Sequence, residues 1–262
     1  MCAREPRHTA RAMARDHIEQ NRAGWEARSA EYQARHEGHI SFERLAWGVW
    51  QIAEDEVRAL PPVEGRDVLE LGCGACQWSI ALARRGARVT GLDFSESQLA
   101  HARKLMAEAG VDFPLICASA EGVPLPDASF DLVFCDHGAI GFTRPERSVA
   151  EAARLLRPGG HLVFSGNSPI VELCWADDAE DPGEQLVRDY FGMREIVEPD
   201  GTVNFQLPYG EWIRIFAACG LCPEDLIELR PPAEAVSTYR SEVAREWARR
   251  WPMDQIWRLR KL

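Results

Sequence analysis

Three groups of residues in this 262-residue chain have types and spacings that could do chemistry. The first is Glu70-Leu71-Gly72-Cys73-Gly74, an acid two positions ahead of a Gly-x-Gly turn, answered by Asp93 19 positions after Gly74. Paired glycines let a backbone approach a ligand closely, and an acid about 20 residues further on can take the two hydroxyls of a ribose. The dinucleotide fingerprint needs a third glycine, where this chain has Gln77. Glu70 would also repel a pyrophosphate from the bare N–H groups of a helix start. The pattern suits a phosphate-free nucleoside that carries positive charge. The plainer reading is a solvated Glu70 and an Asp93 that caps the following helix.

The second group is Cys135-Asp136-His137-Gly138, at the end of an apolar run. A histidine there could accept a proton from a bound hydroxyl. It could equally be a turn histidine bonded to the backbone. His36, near Tyr32, is the weaker candidate for the same task. The third group is two C-x-x-C pairs, Cys73/Cys76 and Cys219/Cys222, too far apart for the usual zinc spacing. They read as small buried hydrophobes, and no metal site is expected.

These groups need elements to hold them. Residues 9 to 36 read as helical, with Trp25 and Tyr32 on an otherwise charged stretch, and 41 to 60 as a second helix stopped by Pro61-Pro62. The rhythm then changes to short apolar strands at 68–71, 88–93, 113–117, 131–135 and 161–165, alternating with helical spacing. Ser95 is placed to cap one helix and Gly110 to end it. Strand-helix alternation predicts a parallel sheet covered on both faces. Residues 170 to 208, rich in Asp and Glu, break the rhythm as an insertion after the fifth strand. A helix at 212–219, strands at 226–229 and 256–259, and a helix face of Val243, Trp247 and Trp251 close the chain.

Composition narrows the function. The net charge of −11 argues against a sequence-independent nucleic-acid binder and against docking on an anionic membrane. Hydrophobic residues make up 46% of the chain, yet no run of about 18 apolar residues offers a spanning helix. No secretory signal is expected in Met1-Cys2-Ala3-Arg4-Glu5-Pro6-Arg7, so the expected compartment is the cytoplasm.

Residues 64 to 166 resemble a class I S-adenosylmethionine-dependent methyltransferase. Val68 to Gly74 resembles its first motif, and Gly91-Leu92-Asp93-Phe94-Ser95 its second-strand motif. Ala118 to Asp131 is similar to its adenine-side loop, and Leu155-Leu156-Arg157-Pro158-Gly159-Gly160 to the turn before its fifth strand. The resemblance implies a Rossmann-like, doubly wound α/β fold with a mostly parallel seven-stranded sheet, an N-terminal helical lid over 1–60 and a methyltransferase domain over 61–262. It implies S-adenosylmethionine as cofactor and S-adenosylhomocysteine as product. Gly72, Cys73 and Gly74 would meet the methionine half, with Glu70 orienting that loop. Asp93 would take the ribose, with Phe94 and Gln98 nearby. Ser119, Ala120 and Glu121 would meet the adenine, Ser119 standing where the family often has Asp. Cys135 and Asp136 would border the methyl group, with Tyr32 reaching in from the lid.

The expected reaction is methyl transfer to an oxygen, nitrogen or carbon of an uncharged or cationic small molecule, such as a specialised metabolite, with His137 as candidate base. Eight of the nine Trp residues lie outside 61–170, which suits an apolar acceptor pocket. Tyr32, Trp47, Trp175, Phe191, Phe205 and Tyr209 are the candidates for its wall. An RNA or protein methyltransferase would want a basic groove or a further recognition domain, and neither is visible. A partner subunit that binds the cofactor without catalysis is the alternative from a different class. Whether the chain acts as a monomer or a homodimer is open.

Overall fold

The computed structural model describes residues 16–36 and 39–262. The first helix, α1 (His17–His36), matches the expected helical stretch; its expected start at 9–15 lies outside the described residues. Residues 41–60 are not the second helix that their apolar spacing predicts. They form a hairpin of β1 (Ala46–Trp47) and β2 (Ile52–Ala53), then a single turn, α2 (Glu54–Val57). The backbone of Gly48 and Gln51 is left-handed, which ends any helix there. The apolar residues also serve two different cores: Leu45 and Trp47 pack with one cluster, Val49 and Trp50 with another. Glu54 fastens the return by accepting from the Trp47 indole and the Ala59 and Leu60 N–H groups.

From residue 67 the strands and helices follow the expected alternation. They run β3 (Asp67–Leu71), α3 (Gln77–Arg84), β4 (Arg88–Asp93), α4 (Glu96–Ala109), β5 (Leu115–Cys117), β6 (Phe130–Asp136), α5 (Ala139–Phe142), α6 (Pro145–Leu155) and β7 (Leu156–Asn167). Ser95 caps α4 by accepting the Gln98 N–H, and left-handed Gly110 ends it. The insertion holds α7 (Pro169–Cys174) and a hairpin of β8 (Glu195–Val197) and β9 (Val203–Phe205). The chain closes with α8 (Tyr209–Ala218), β10 (Leu221–Glu228), α9 (Glu242–Ala248) and β11 (Asp254–Lys261). Val243 does not share the buried face of Trp247: it is exposed, and Trp251 lies beyond the helix.

The central sheet has seven strands in the order β10-β11-β7-β6-β3-β4-β5. β11 is antiparallel to both β10 and β7, and the other pairs of this sheet are parallel. Residues of β3 alternate between two cores: Val68 packs with α3 on one face, Leu69 and Leu71 with α6 and α8 on the other. This is the doubly wound α/β arrangement, with hydrophobic strands covered on both sides.

Candidate active site

β3 and β6 lie side by side, but the chain leaves them in opposite directions, to β4 and to β7. A crevice must open at their carboxyl ends. The turns leaving the two strands interlock there. A Cβ on Gly72 would come within 2.3 Å of the Ala139 nitrogen, and one on Gly138 within 2.7 Å of the Gly72 carbonyl oxygen. Gly72 also has φ +72°, so the position demands glycine twice over. Its N–H and that of Cys73 donate to the Leu92 carbonyl, locking the loop to β4.

Two acids hold the glycine loop. Glu70 is buried and accepts from both the N–H and the hydroxyl of Ser79 in α3; burial pushes its carboxyl up to about 8. Asp93 accepts from the Gly74 N–H at 2.9 Å and the Ser95 N–H at 2.8 Å. Burial pushes Asp93 up to about 6. Asp93 is therefore not the cap of α4, which is Ser95, but a brace between loop and helix. Cys73 and Cys76 are buried over Gly91, each sulfur 3.1 Å from where a Cβ would stand, so this pair does pack as small hydrophobes. Cys219 and Cys222 are half-buried. Among the described residues no group of three His, Cys, Asp or Glu could hold a metal.

A cavity of about 330 Å³ fills the crevice, within the range of small-molecule sites. It is lined by Glu70, Gly72, Cys73, Gly74, Asp93 and Phe94, and by Gln98, Ser119, Ala120, Asp136, His137 and Tyr32. Two expected residues are not among its walls. The Glu121 carboxylate turns away to His17 at 2.6 Å and the Arg144 N–H at 2.7 Å, tying α1 to the start of α6. Cys135 is fully buried behind Gly138, and burial pushes its thiol up to about 12. Ser119 accepts the Glu121 N–H and so shapes the loop that presents Ala120.

Asp136 lines the cavity as a fastener. It accepts from the Gly48 N–H, the Trp78 indole and the Ser165 hydroxyl, which pins the β1–β2 hairpin onto the sheet. His137 follows with φ +47°, a strained value for a residue with a side chain. Its N–H donates to Ser165, and its Nε2 lies 3.5 Å from Asp254 Oδ1.

The other half of the cavity comes from outside the sheet. Trp25, Tyr32 and Gln33 of α1 face it, with Arg44, Val49 and Gln51 around the hairpin, Phe142 of α5, and Tyr239 and Arg240 before α9. The Tyr32 and Tyr239 hydroxyls share a hydrogen bond of 2.9 Å, and His36 stacks on Tyr239 at 3.8 Å. Burial lowers His36 to about 4, and its Nδ1 is taken by Thr238. His36 does not line the cavity and is no base there.

Of the aromatic wall expected from sequence, only Tyr32 is present. Trp47 is wholly buried in the core, Phe205 packs against His17, and Tyr209 donates to Gln255. Phe191 is 89% exposed, and Trp175 lies under the Arg240 guanidinium. The residues missed carry little signal. Trp25 had one, as an aromatic seven positions before Tyr32 on a charged helix. Tyr239, Arg240 and Asp254 sit in no motif.

The cradle fits S-adenosylmethionine. Interlocked backbone at Gly72, the buried acid Asp93 and backbone-presented Ala120 line one wall of the same cavity. Comparison with known proteins agrees. Residues 69–164 match the methyltransferase-domain family. Over 209 residues the chain is 34% identical to the ubiquinone biosynthesis O-methyltransferase of Stutzerimonas stutzeri (strain A1501), covering 78% of this chain and 81% of that one. It is 37% identical over 117 residues to the demethylmenaquinone methyltransferase of Clavibacter sepedonicus, a match covering 44% of this chain and only 46% of that relative. The solved S-adenosylmethionine-dependent methyltransferase from Mesorhizobium loti superposes with a TM-score of 0.65 at 28% identity, over 82% of this chain and 100% of that one. With the cradle, the sheet order and these relatives in agreement, the chain belongs to the class I S-adenosylmethionine-dependent methyltransferases.

Proposed function

We propose that this enzyme methylates an acidic hydroxyl, such as a phenol or enol, on a planar small molecule, with His137 as the base. The observation that carries the reading is His137 itself. It is held in strained backbone on the wall between the glycine cradle and the aromatic half of the cavity. S-adenosylmethionine, when bound, supplies a methyl group already activated on a sulfonium. The chain's own residues then have three tasks. Asp93 puts negative charge beside a positively charged ligand, and Glu70 holds the start of α3 through Ser79. Trp25, Tyr32, Phe142 and Tyr239 stack on a flat acceptor and keep water out. His137 takes the hydroxyl proton.

Arg44 and Arg240 on the acceptor side speak against a cationic acceptor, which the bare sequence left open. The oxygen is supported by the histidine and by a relative named as an O-methyltransferase. The cytoplasm is the proposed compartment, since free thiols are usual there. Among the described residues no helix is long and apolar enough to cross a membrane. Helix α1 and residues 39–57 are proposed as the lid, anchored by Glu26 on the first N–H groups of α4.

The test is mass spectrometry of products from a panel of catechols, hydroquinones and matched anilines. Methyl transfer to hydroxyls, lost in His137→Gln, is expected. Transfer to the anilines alone would reject the oxygen. S-adenosylhomocysteine binding with no product from any acceptor would favour a partner subunit.

A further inference from the structure

Three buried polar atoms without hydrogen-bond partners meet behind the acceptor half of the cavity: Nε2 of His137 and both carboxylate oxygens of Asp254. Asp254 is 0% exposed at the first position of β11, in register with Asn167 at the end of β7. A carboxylate so placed is unstable unless something donates to it. The nearest ion-pairing group among the described residues is His137, with 3.5 Å between Nε2 and Oδ1. Gly48 lies over the same spot with φ +65°; a Cβ there would stand 3.1 Å from Oδ2 and 3.6 Å from Nε2. The hairpin therefore leaves room for this carboxylate and seals it from water. Burial and the Asp136 charge push the Asp254 carboxyl up, while the Arg240 charge and the nearby Val49 backbone pull it back toward the ionised form.

We propose that Asp254 is a positioning residue for methyl transfer, accepting the Nε2–H of His137 so that the Nδ1 lone pair faces the acceptor. A carboxylate only accepts, so it fixes which ring nitrogen carries the proton. Nδ1 has no hydrogen-bond partner among the described residues, on a ring that lines the cavity. In the step it serves, the acceptor O–H bond breaks, the electron pair stays on oxygen, and the proton goes to Nδ1. Asp254 then faces an imidazolium whose second N–H it already holds. The left-handed backbone of His137 and its N–H bond to Ser165 fix the ring from the other side.

The inference rests on the reading of His137 as the base, and the test separates the two. Nitrogen NMR of ring-labelled histidine in the full chain reports the tautomer, with the His137 signals assigned by their loss in His137→Gln. The neutral wild-type ring is expected to carry its proton on Nε2. Asp254→Asn can donate to that nitrogen, so it should shift the population toward Nδ1–H and lower turnover of a catechol probe at least about tenfold. Its affinity for S-adenosylhomocysteine should stay within about twofold. A wild-type ring protonated on Nδ1, or a tautomer unmoved by Asp254→Asn, overturns the role of Asp254 and leaves His137 as base if His137→Gln is inactive. Full turnover by His137→Gln overturns both.

Discussion

The half of the cavity proposed for the cofactor is made of turns. Gly72, Gly74 and Ala120 bring backbone to its wall, while Asp93 braces Gly74 and Glu70 holds Ser79 at the start of the next helix. The half proposed for the acceptor is made of large side chains drawn from α1, the β1–β2 hairpin, α5 and the loop before α9. Recognition by backbone demands particular φ values and close approaches, so it must be written in contiguous residues. Recognition by side chains can be assembled from any segments the fold brings together.

The largest test of this contrast is Gly72→Ala. A Cβ at φ +72° and 2.3 Å from backbone cannot be accommodated by a rotamer change. Loss of cofactor binding is expected, with a stability drop of roughly 2–4 kcal/mol in denaturant titration. Retained binding would mean that the two turns can part.

Asp93→Ala comes next, weakening S-adenosylhomocysteine binding by about 1–3 kcal/mol in calorimetry. Asp93 also gives that affinity a pH dependence. In the free protein its carboxyl sits near about 6. Binding to a ribose favours the ionised form, so below that pH the ligand must displace a proton. Affinity should therefore fall as pH drops through about 6, by at most about tenfold per unit. Asp93→Ala should flatten that profile.

Trp25→Ala tests the other half. It should raise the acceptor KM by an amount equivalent to about 1 kcal/mol and leave cofactor affinity alone. Equal losses in both would dissolve the distinction between the halves. Hydrogen exchange sharpens it further: residues 17–36 should gain protection with S-adenosylhomocysteine if α1 is a lid, and equal protection would mark it as a fixed roof. The smallest effect belongs to Phe191→Ser, within about 0.5 kcal/mol of wild-type stability and silent on acceptor KM. A raised KM there would return the insertion to the pocket.

The same contrast explains what could be read without a structure. Gly72, Gly74, Asp93 and Ser95 were legible because each does a local job at a fixed spacing. The 41–60 stretch was not. Its apolar residues alternate between two cores, and their mixed three- and four-residue spacing mimics a helix. Glu121 was expected beside the adenine, but its carboxylate answers His17, 104 residues away. Asp254 carries no local signal, because its meaning comes from standing beside β7, 87 positions after Asn167.

The interlock of Gly72 and Gly138 has a consequence for how such an enzyme can change. Each turn fills the space that a side chain on the other would need, so neither can vary alone. The donor end is frozen by geometry. The freedom lies in α1, the hairpin and the 239–240 loop, three separate stretches that rest on the sheet without forming it. Moved together onto another protein of this sheet order, they should carry their choice of acceptor with them and leave the methyl donor as it was.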